Sequence, residues 1–256
     1  MTDPGVRVDR GGPVATVTLC RPHVLNAQTP ATWERLREIG RELPGDVRIV
    51  VVRGEGRAFS AGLDLAAVSG GAGDGQPTFQ RIAEADPAVA EQIIAGYQEA
   101  FGWLRRPDLI TVAAVQGHAI GAGFQLALAC DLRVLTDDAQ FTMAEVTLGL
   151  VPDLGGTKRL VELVGYARAL DLCVTGRRVP AAEAYAMGLA NQVVGGAELD
   201  ATVNDLVARV IAAPRDAVIE IKALLAAASE RGYPAQEAAE RAAQVRRIRD
   251  LAGLGE

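Results

Sequence analysis

The 256-residue chain is predicted to be an α/β protein with a C-terminal helical subdomain. Three observations predict it. Residues 47–52 (VRIVVV) and 109–116 (LITVAAVQ) are β-branched or apolar runs, the pattern of strands buried on both faces. Each run is followed by a glycine-bounded segment, GRAFSAGLDL (56–65) and GHAIGAGFQLALACDL (117–132), and the second opens an apolar helix. After Gly155-Gly156 the pattern is helical, punctuated by Gly and Pro. The expected division is a core carrying the site over residues 1–196 and a helical, oligomer-forming subdomain over 197–256.

The elements follow in order. Residues 6–9 and 14–19 read as a hairpin around Gly11-Gly12-Pro13. Thr29-Pro30 reads as a helix start, Thr capping the free N–H groups and Pro fitting the first turn. The strand at 47–52 comes next. Residues 66–87 are rich in Gly, Ala and polar residues and read as a lid. A helix is expected over 88–104, a strand over 109–115, a helix over 122–130 and a short strand over 132–135.

Composition excludes several classes. Hydrophobic residues make up 49% of the chain, ample for a core. A net charge of −6 argues against nucleic-acid binding. The three cysteines, Cys20, Cys130 and Cys173, are widely spaced and odd in number, so neither a disulfide framework nor a CxxC metal site is expected. The first residues lack the apolar stretch of a secretion signal and no run of 18 apolar residues occurs. A cytoplasmic, non-membrane protein is therefore expected.

Four segments, RPHVLNAQ (21–28), AFSAGLDL (58–65), GHAIGAGFQLALACD (117–131) and AEVTLGLVPDLGGTKRL (144–160), carry a resemblance to a known family. In this order and at these separations they resemble the crotonase superfamily, the enoyl-CoA hydratase/isomerase family. The resemblance runs from about Val14 to the helices before residue 240. It implies a spiral of ββα units with a helical tail and a homotrimer or dimer of trimers. It also implies an acyl-CoA thioester substrate, with no cofactor beyond the coenzyme A that belongs to that substrate and no metal.

The resemblance implies site residues too. The backbone N–H groups of Leu63 and Ala122 correspond to the oxyanion hole. Ala122 also stands at a helix start, where N–H groups are unpaired and the dipole is positive. The thioester α-proton is too weakly acidic for an unaided carboxylate, so the developing enolate needs such donors. Val24, Ala27, Ala61 and Leu65 correspond to the coenzyme A contacts. His23 falls where relatives carry a basic residue near the phosphates, though a solvated loop histidine is an equal reading.

The catalytic positions depart from the family. Its hydratases use two glutamates; here the first position is Gln125 and the second Glu145. Glutamine can hold water or substrate but cannot exchange a proton. Asp153 stands where many relatives have Gly. Dienoyl-CoA isomerases of the superfamily carry this Glu/Asp spacing, although a third acid usual at the Gln125 position is missing. Ring-modifying isomerases use an Asp there as well. Double-bond transfer needs a base at one carbon and an acid at another, which suits Glu145 and Asp153. Asp153 is equally readable as an N-cap of the following helix. The favoured reaction is therefore double-bond isomerisation of an unsaturated acyl-CoA. The alternatives are enoyl-CoA hydration by Glu145 nearly alone, and a non-catalytic acyl-CoA binder. A dinucleotide fingerprint (third Gly absent in GEGRAF), a serine hydrolase (no GxSxG) and a dehalogenase (no His in 66–117) are disfavoured. Arg246, Arg247 and Arg249 are readable as phosphate partners or as a solvated face.

Overall fold

The computed structural model describes residues 4–66 and 79–255. Residues 67–78, most of the expected lid, lie outside the described residues. Strands β1 (Val6–Gly11) and β2 (Val14–Leu19) form the predicted hairpin. Helix α1 (Pro30–Glu42) begins as the sequence dictates: the Thr29 hydroxyl accepts from the Thr32 N–H, and Thr32 returns the bond to the Thr29 N–H. Strand β3 (Ile49–Gly54) follows, then α2 (Phe79–Glu84) and α3 (Pro87–Gly102), the last capped by Asp86.

The second glycine-bounded segment is built from β4 (Ile110–Val115), β5 (His118–Ile120) and α4 (Ala122–Ala129). Strands β6 (Leu132–Thr136) and β7 (Gln140–Thr142) lead to α5 (Gly156–Val164) and α6 (Tyr166–Thr175). Then come β8 (Arg178–Pro180), α7 (Ala181–Ala186) and β9 (Gln192–Val194). Helices α8 (Leu199–Ala212), α9 (Arg215–Ala226) and α10 (Tyr233–Leu251) close the chain.

Two sheets result. The larger runs β1-β2-β3-β4-β6-β9 and is parallel apart from the β1–β2 hairpin. The smaller runs β5-β7-β8. The period-two rule explains why residues 49–52 are apolar throughout. Val50 and Val52 face the main core, whereas Ile49 and Val51 face a second core with Val112, Ala114, Leu199 and Val203. Helix α8 covers that outer face. Lys222 of α9, 9% exposed, ties the C-terminal helices to the sheet through the Leu109 carbonyl (2.7 Å) and Asp131 (2.8 Å).

The small-residue turns are forced by close approach. Gly62 has φ +85°, and a Cβ there would lie 2.4 Å from the Ile120 carbonyl oxygen. A Cβ on Gly123 would meet the Ser60 carbonyl oxygen at 2.6 Å. Side chains at these positions would push apart the two turns that carry Leu63 and Ala122.

Candidate active site

Each turn presents one free backbone donor. Ala122 is the first residue of α4, and its N-cap Gly121 offers no side chain. On the other turn, the Gln28 N–H bonds the Gly62 carbonyl and the Asp64 N–H bonds the Gln28 carbonyl, which leaves the intervening Leu63 N–H pointing away. Among the described residues neither the Leu63 nor the Ala122 N–H donates to a protein acceptor. A Cβ built on Gly62 would lie 3.5 Å from the Ala122 nitrogen of the other turn. The two donors therefore belong to one place.

A buried network holds the Leu63 turn. Trp33 Nε1 donates to Gln28 Oε1 (2.8 Å), Gln28 Nε2 to Ser60 Oγ (3.0 Å), and the Gly62 N–H to the same hydroxyl (3.2 Å). Ser60 Oγ in turn donates to the Asn26 carbonyl at 2.8 Å. Ser60, which lies outside any GxSxG elbow, is a fully buried structural hydroxyl.

The coenzyme A positions gather on one edge. His23 and Val24 lie in a short 3-10 turn and are exposed; Ala27 and Ala61 are half-buried, and Leu65 is exposed. The Ala61 N–H bonds the Leu25 carbonyl at 2.8 Å, so the two segments lie side by side. Leu25 and Asn26 both take positive φ, and the Asn26 amide holds the turn through the Glu55 and Ala58 carbonyls. Arg246 pairs with Glu220, and Arg247 with Asp216 and Asp250, so these two arginines sit in a charged face of their own.

Gln125 is 1% exposed and occupies the hinge of the catalytic region. Its Oε1 accepts from the Leu154 N–H (2.9 Å) and the Gly156 N–H (3.2 Å), so the side chain caps α5 from another helix. Its Nε2 then donates to Glu145 Oε1 at 2.7 Å. Its carbonyl is occupied by backbone, and what it orients is Glu145. Gly156 is required here because a Cβ would stand 2.8 Å from the Gln125 side chain.

Glu145 starts a 3-10 turn after β7 and reaches the N-terminal end of α4: a Cβ on Gly121 would lie 3.3 Å from its Oε1. Its other oxygen, Oε2, is buried with no hydrogen-bond partner among the described residues. Burial pushes the Glu145 carboxyl above the ordinary value; the Gln125 N–H opposes this, and the nearby Asp153 charge adds to it.

Asp153 is not the cap of α5. That position belongs to Gly155, and no side chain caps it locally because Gln125 does so from a distance. The Asp153 carboxyl is half-buried and its pKa is raised, chiefly by burial. The Gln98 side chain of α3 holds the Asp153 carbonyl at 2.7 Å. The structure thus brings Glu145, Asp153 and Gln125 together beside the Ala122 turn. An open depression of about 800 Å³ between Arg53, Thr18 and Asp200 shares no residue with this site.

The chain matches the family described as enoyl-CoA hydratase/isomerase over residues 9–251. It belongs to that family. A structure of a candidate enoyl-CoA hydratase from Thermobifida fusca YX in complex with CoA is 50% identical, covers 98% of this chain and 95% of its own, and superposes with a TM-score of 0.93. The same protein in complex with acetoacetyl-CoA gives 51% identity, 96% coverage of each chain and a TM-score of 0.93. A probable enoyl-CoA hydratase of Mycobacterium tuberculosis is 34% identical over 201 residues, 78% of this chain and 72% of the relative. The carnitinyl-CoA dehydratase of Salmonella typhi is 35% identical over 229 residues, 88% and 81% of the two chains. The enoyl-CoA hydratase/isomerase fold, a mixed α/β core with a helical C-terminal region, is the one the sequence resemblance implied. The chain is an acyl-CoA enzyme of the hydratase/isomerase family.

Proposed function

We propose that this enzyme moves a double bond along an unsaturated acyl-CoA. The observation that carries the reading is the fixed orientation of Gln125. With its carbonyl held by α5 and its amide on Glu145, it cannot serve as a second acid or base. Glu145 and Asp153 remain as the titratable pair, and they differ in environment. Glu145 receives a side-chain N–H bond that favours its charged form; among the described residues Asp153 receives only a backbone one.

The roles follow from position. The Leu63 and Ala122 N–H groups receive the thioester oxygen, and each such donor contributes about 2.7–4 kcal/mol to an oxyanion transition state. Glu145, beside the α4 N-terminus, removes the proton from C2 of a 3-enoyl-CoA through Oε2. The electrons of that C–H bond form the C2–C3 double bond as the old C3–C4 double bond opens toward C4. Asp153 delivers a proton to C4, giving the conjugated 2-enoyl-CoA. Exchange with solvent returns the lost proton to Asp153 and takes the gained one from Glu145. The substrate adenine end would lie along His23, Val24, Ala27, Ala61 and Leu65.

Hydration is the second reading, supported by relatives named as enoyl-CoA hydratase and carnitinyl-CoA dehydratase. Asp153→Asn separates the two. The isomerase reading expects the variant to exchange the C2 proton with deuterated solvent while losing conversion to the 2-enoyl product. Unchanged conversion would remove Asp153 from the mechanism.

We also propose self-association as a homotrimer or dimer of trimers, which would cover large apolar side chains such as Val151 (72% exposed), Tyr166 (70%) and Val174 (57%). Light scattering of the purified protein tests this; a monomer at micromolar concentration would rule it out. Among the described residues no helix is long and apolar enough to cross a membrane.

A further inference from the structure

Tyr97 takes no part in the reaction above. It lies in α3, with its ring 4.7 Å from that of Trp33 and packed on the main core. Trp33 is itself fixed by its bond to Gln28, so the tyrosine ring is held on a rigid support. Its hydroxyl oxygen is buried and has no hydrogen-bond partner among the described residues. A buried hydroxyl without a partner is costly and uncommon in a native protein. The hydroxyl is also in the right neighbourhood. The next residue, Gln98, grips the Asp153 backbone at 2.7 Å, which seats this turn of α3 against the loop that carries Asp153. Burial and the Asp153 charge push the Tyr97 phenol up to about 12, so it stays protonated and able to donate.

We propose that the Tyr97 hydroxyl donates to an oxygen carried by the substrate's acyl chain at C5, one carbon beyond the C4 that Asp153 serves, so that the preferred substrates are oxygenated rather than plain hydrocarbon acyl-CoA thioesters. The inference rests on the acyl-CoA reading of the site and adds the substrate class. Its physical basis is the cost of the unpaired donor. A hydrocarbon chain leaves the hydroxyl unsatisfied, whereas a carbonyl or hydroxyl oxygen satisfies it. Selection by such a group is stronger than selection by apolar fit alone.

The test is calorimetric titration of the full protein and its Tyr97→Phe variant with hexanoyl-CoA, 5-oxohexanoyl-CoA and 5-hydroxyhexanoyl-CoA, three esters of the same chain length. The wild-type protein is expected to prefer at least one oxygenated ester by roughly three- to tenfold, the range of one net hydrogen bond. Tyr97→Phe is expected to abolish that preference, to leave hexanoyl-CoA affinity unchanged, and not to lower the melting temperature, since the hydroxyl holds nothing among the described residues. A preference that survives Tyr97→Phe overturns the proposal, as does a wild type that binds all three esters equally. A variant weakened toward all three, or one with a lowered melting temperature, would make the hydroxyl structural and overturn it as well. Failure of every ester to bind the wild type would instead defeat the acyl-CoA reading on which the proposal stands.

Discussion

Gln125 Nε2 donates to Glu145 Oε1 at 2.7 Å, and the direction of that bond is fixed from the far side of the amide. The carbonyl end of Gln125 accepts from the Leu154 and Gly156 N–H groups, so only the NH₂ end can face Glu145. One oxygen of Glu145 is thereby tied, and the other, Oε2, is left buried and unpaired. In the proposed reaction, proton transfer would be confined to a single oxygen in a desolvated place.

Removing the charge while keeping the shape should abolish chemistry. Glu145→Gln retains an oxygen to accept from Gln125 but cannot take a proton. Turnover is expected to fall by roughly 10²–10⁴, the usual contribution of a general base, with CoA-ester affinity nearly unchanged. Steady-state kinetics alongside calorimetry checks this, and a variant that turns over normally would displace Glu145 from its role.

Gln125→Glu tests the hinge. A carboxylate keeps the two backbone bonds at the start of α5, where negative charge is favoured. Its second oxygen would then stand where the amide nitrogen lies, 2.7 Å from Glu145 Oε1, so the pair must share a proton. The expected outcome is a gain in crotonyl-CoA hydration, with the alkaline-active form appearing at higher pH than in the parent. A variant with neither change would mean that the surrounding pocket, not residue 125, selects the reaction.

Stability should carry the mark of the two raised carboxyls. Both hold their protons above the ordinary values of 4.5 for Glu145 and 3.8 for Asp153. Below those values the folded and unfolded states are both protonated, and burial of the neutral groups is tolerated. As pH rises, the unfolded chain ionises first, so stability falls until the folded-state values are passed. The double variant Glu145→Gln/Asp153→Asn should therefore melt higher than the parent at pH 7, with the difference closing below about pH 4. Thermal unfolding across pH would show it; a difference that persists at low pH would point to packing instead.

Gly62→Ala probes the contact between the two turns. The new methyl would meet the Ile120 carbonyl oxygen at 2.4 Å in a backbone of φ +85°, so the turns must part. Loss of one donor's alignment predicts a drop in kcat of about 10²–10³. A variant that folds and keeps full activity would show that the Leu63 N–H is not used.

Much of the fold was legible because its central elements announce themselves. The run at 49–52 is apolar on both faces because α8 covers one face and the main core the other. Thr29 and Pro30 mark the start of α1 as capping physics requires. The smaller sheet was not legible. Strands β5, β7 and β8 are three residues each, too short for alternation to register, and they pair across long stretches of chain. The site divided in the same way. Glycine turns and acids could be picked out by family resemblance, but the role of Gln125 depends on N–H groups 29 and 31 residues away. The N-cap reading of Asp153 gave way to Gly155 because that helix is capped from a distance. Tyr97 carries no motif; only burial of its hydroxyl beside the Asp153 loop sets it apart.

The central claim is that a carboxylate pair, without a second glutamate, transfers a proton between two carbons. The most direct measurement follows a 3-enoyl-CoA and crotonyl-CoA with the enzyme in deuterated water, by ultraviolet absorbance of the conjugated thioester and mass spectrometry of the product. The account predicts that the 3-enoyl ester gains conjugation and deuterium without gaining the mass of water, and that crotonyl-CoA is hydrated far more slowly. Rapid loss of crotonyl-CoA conjugation with addition of water, and no conversion of the 3-enoyl ester, would contradict it.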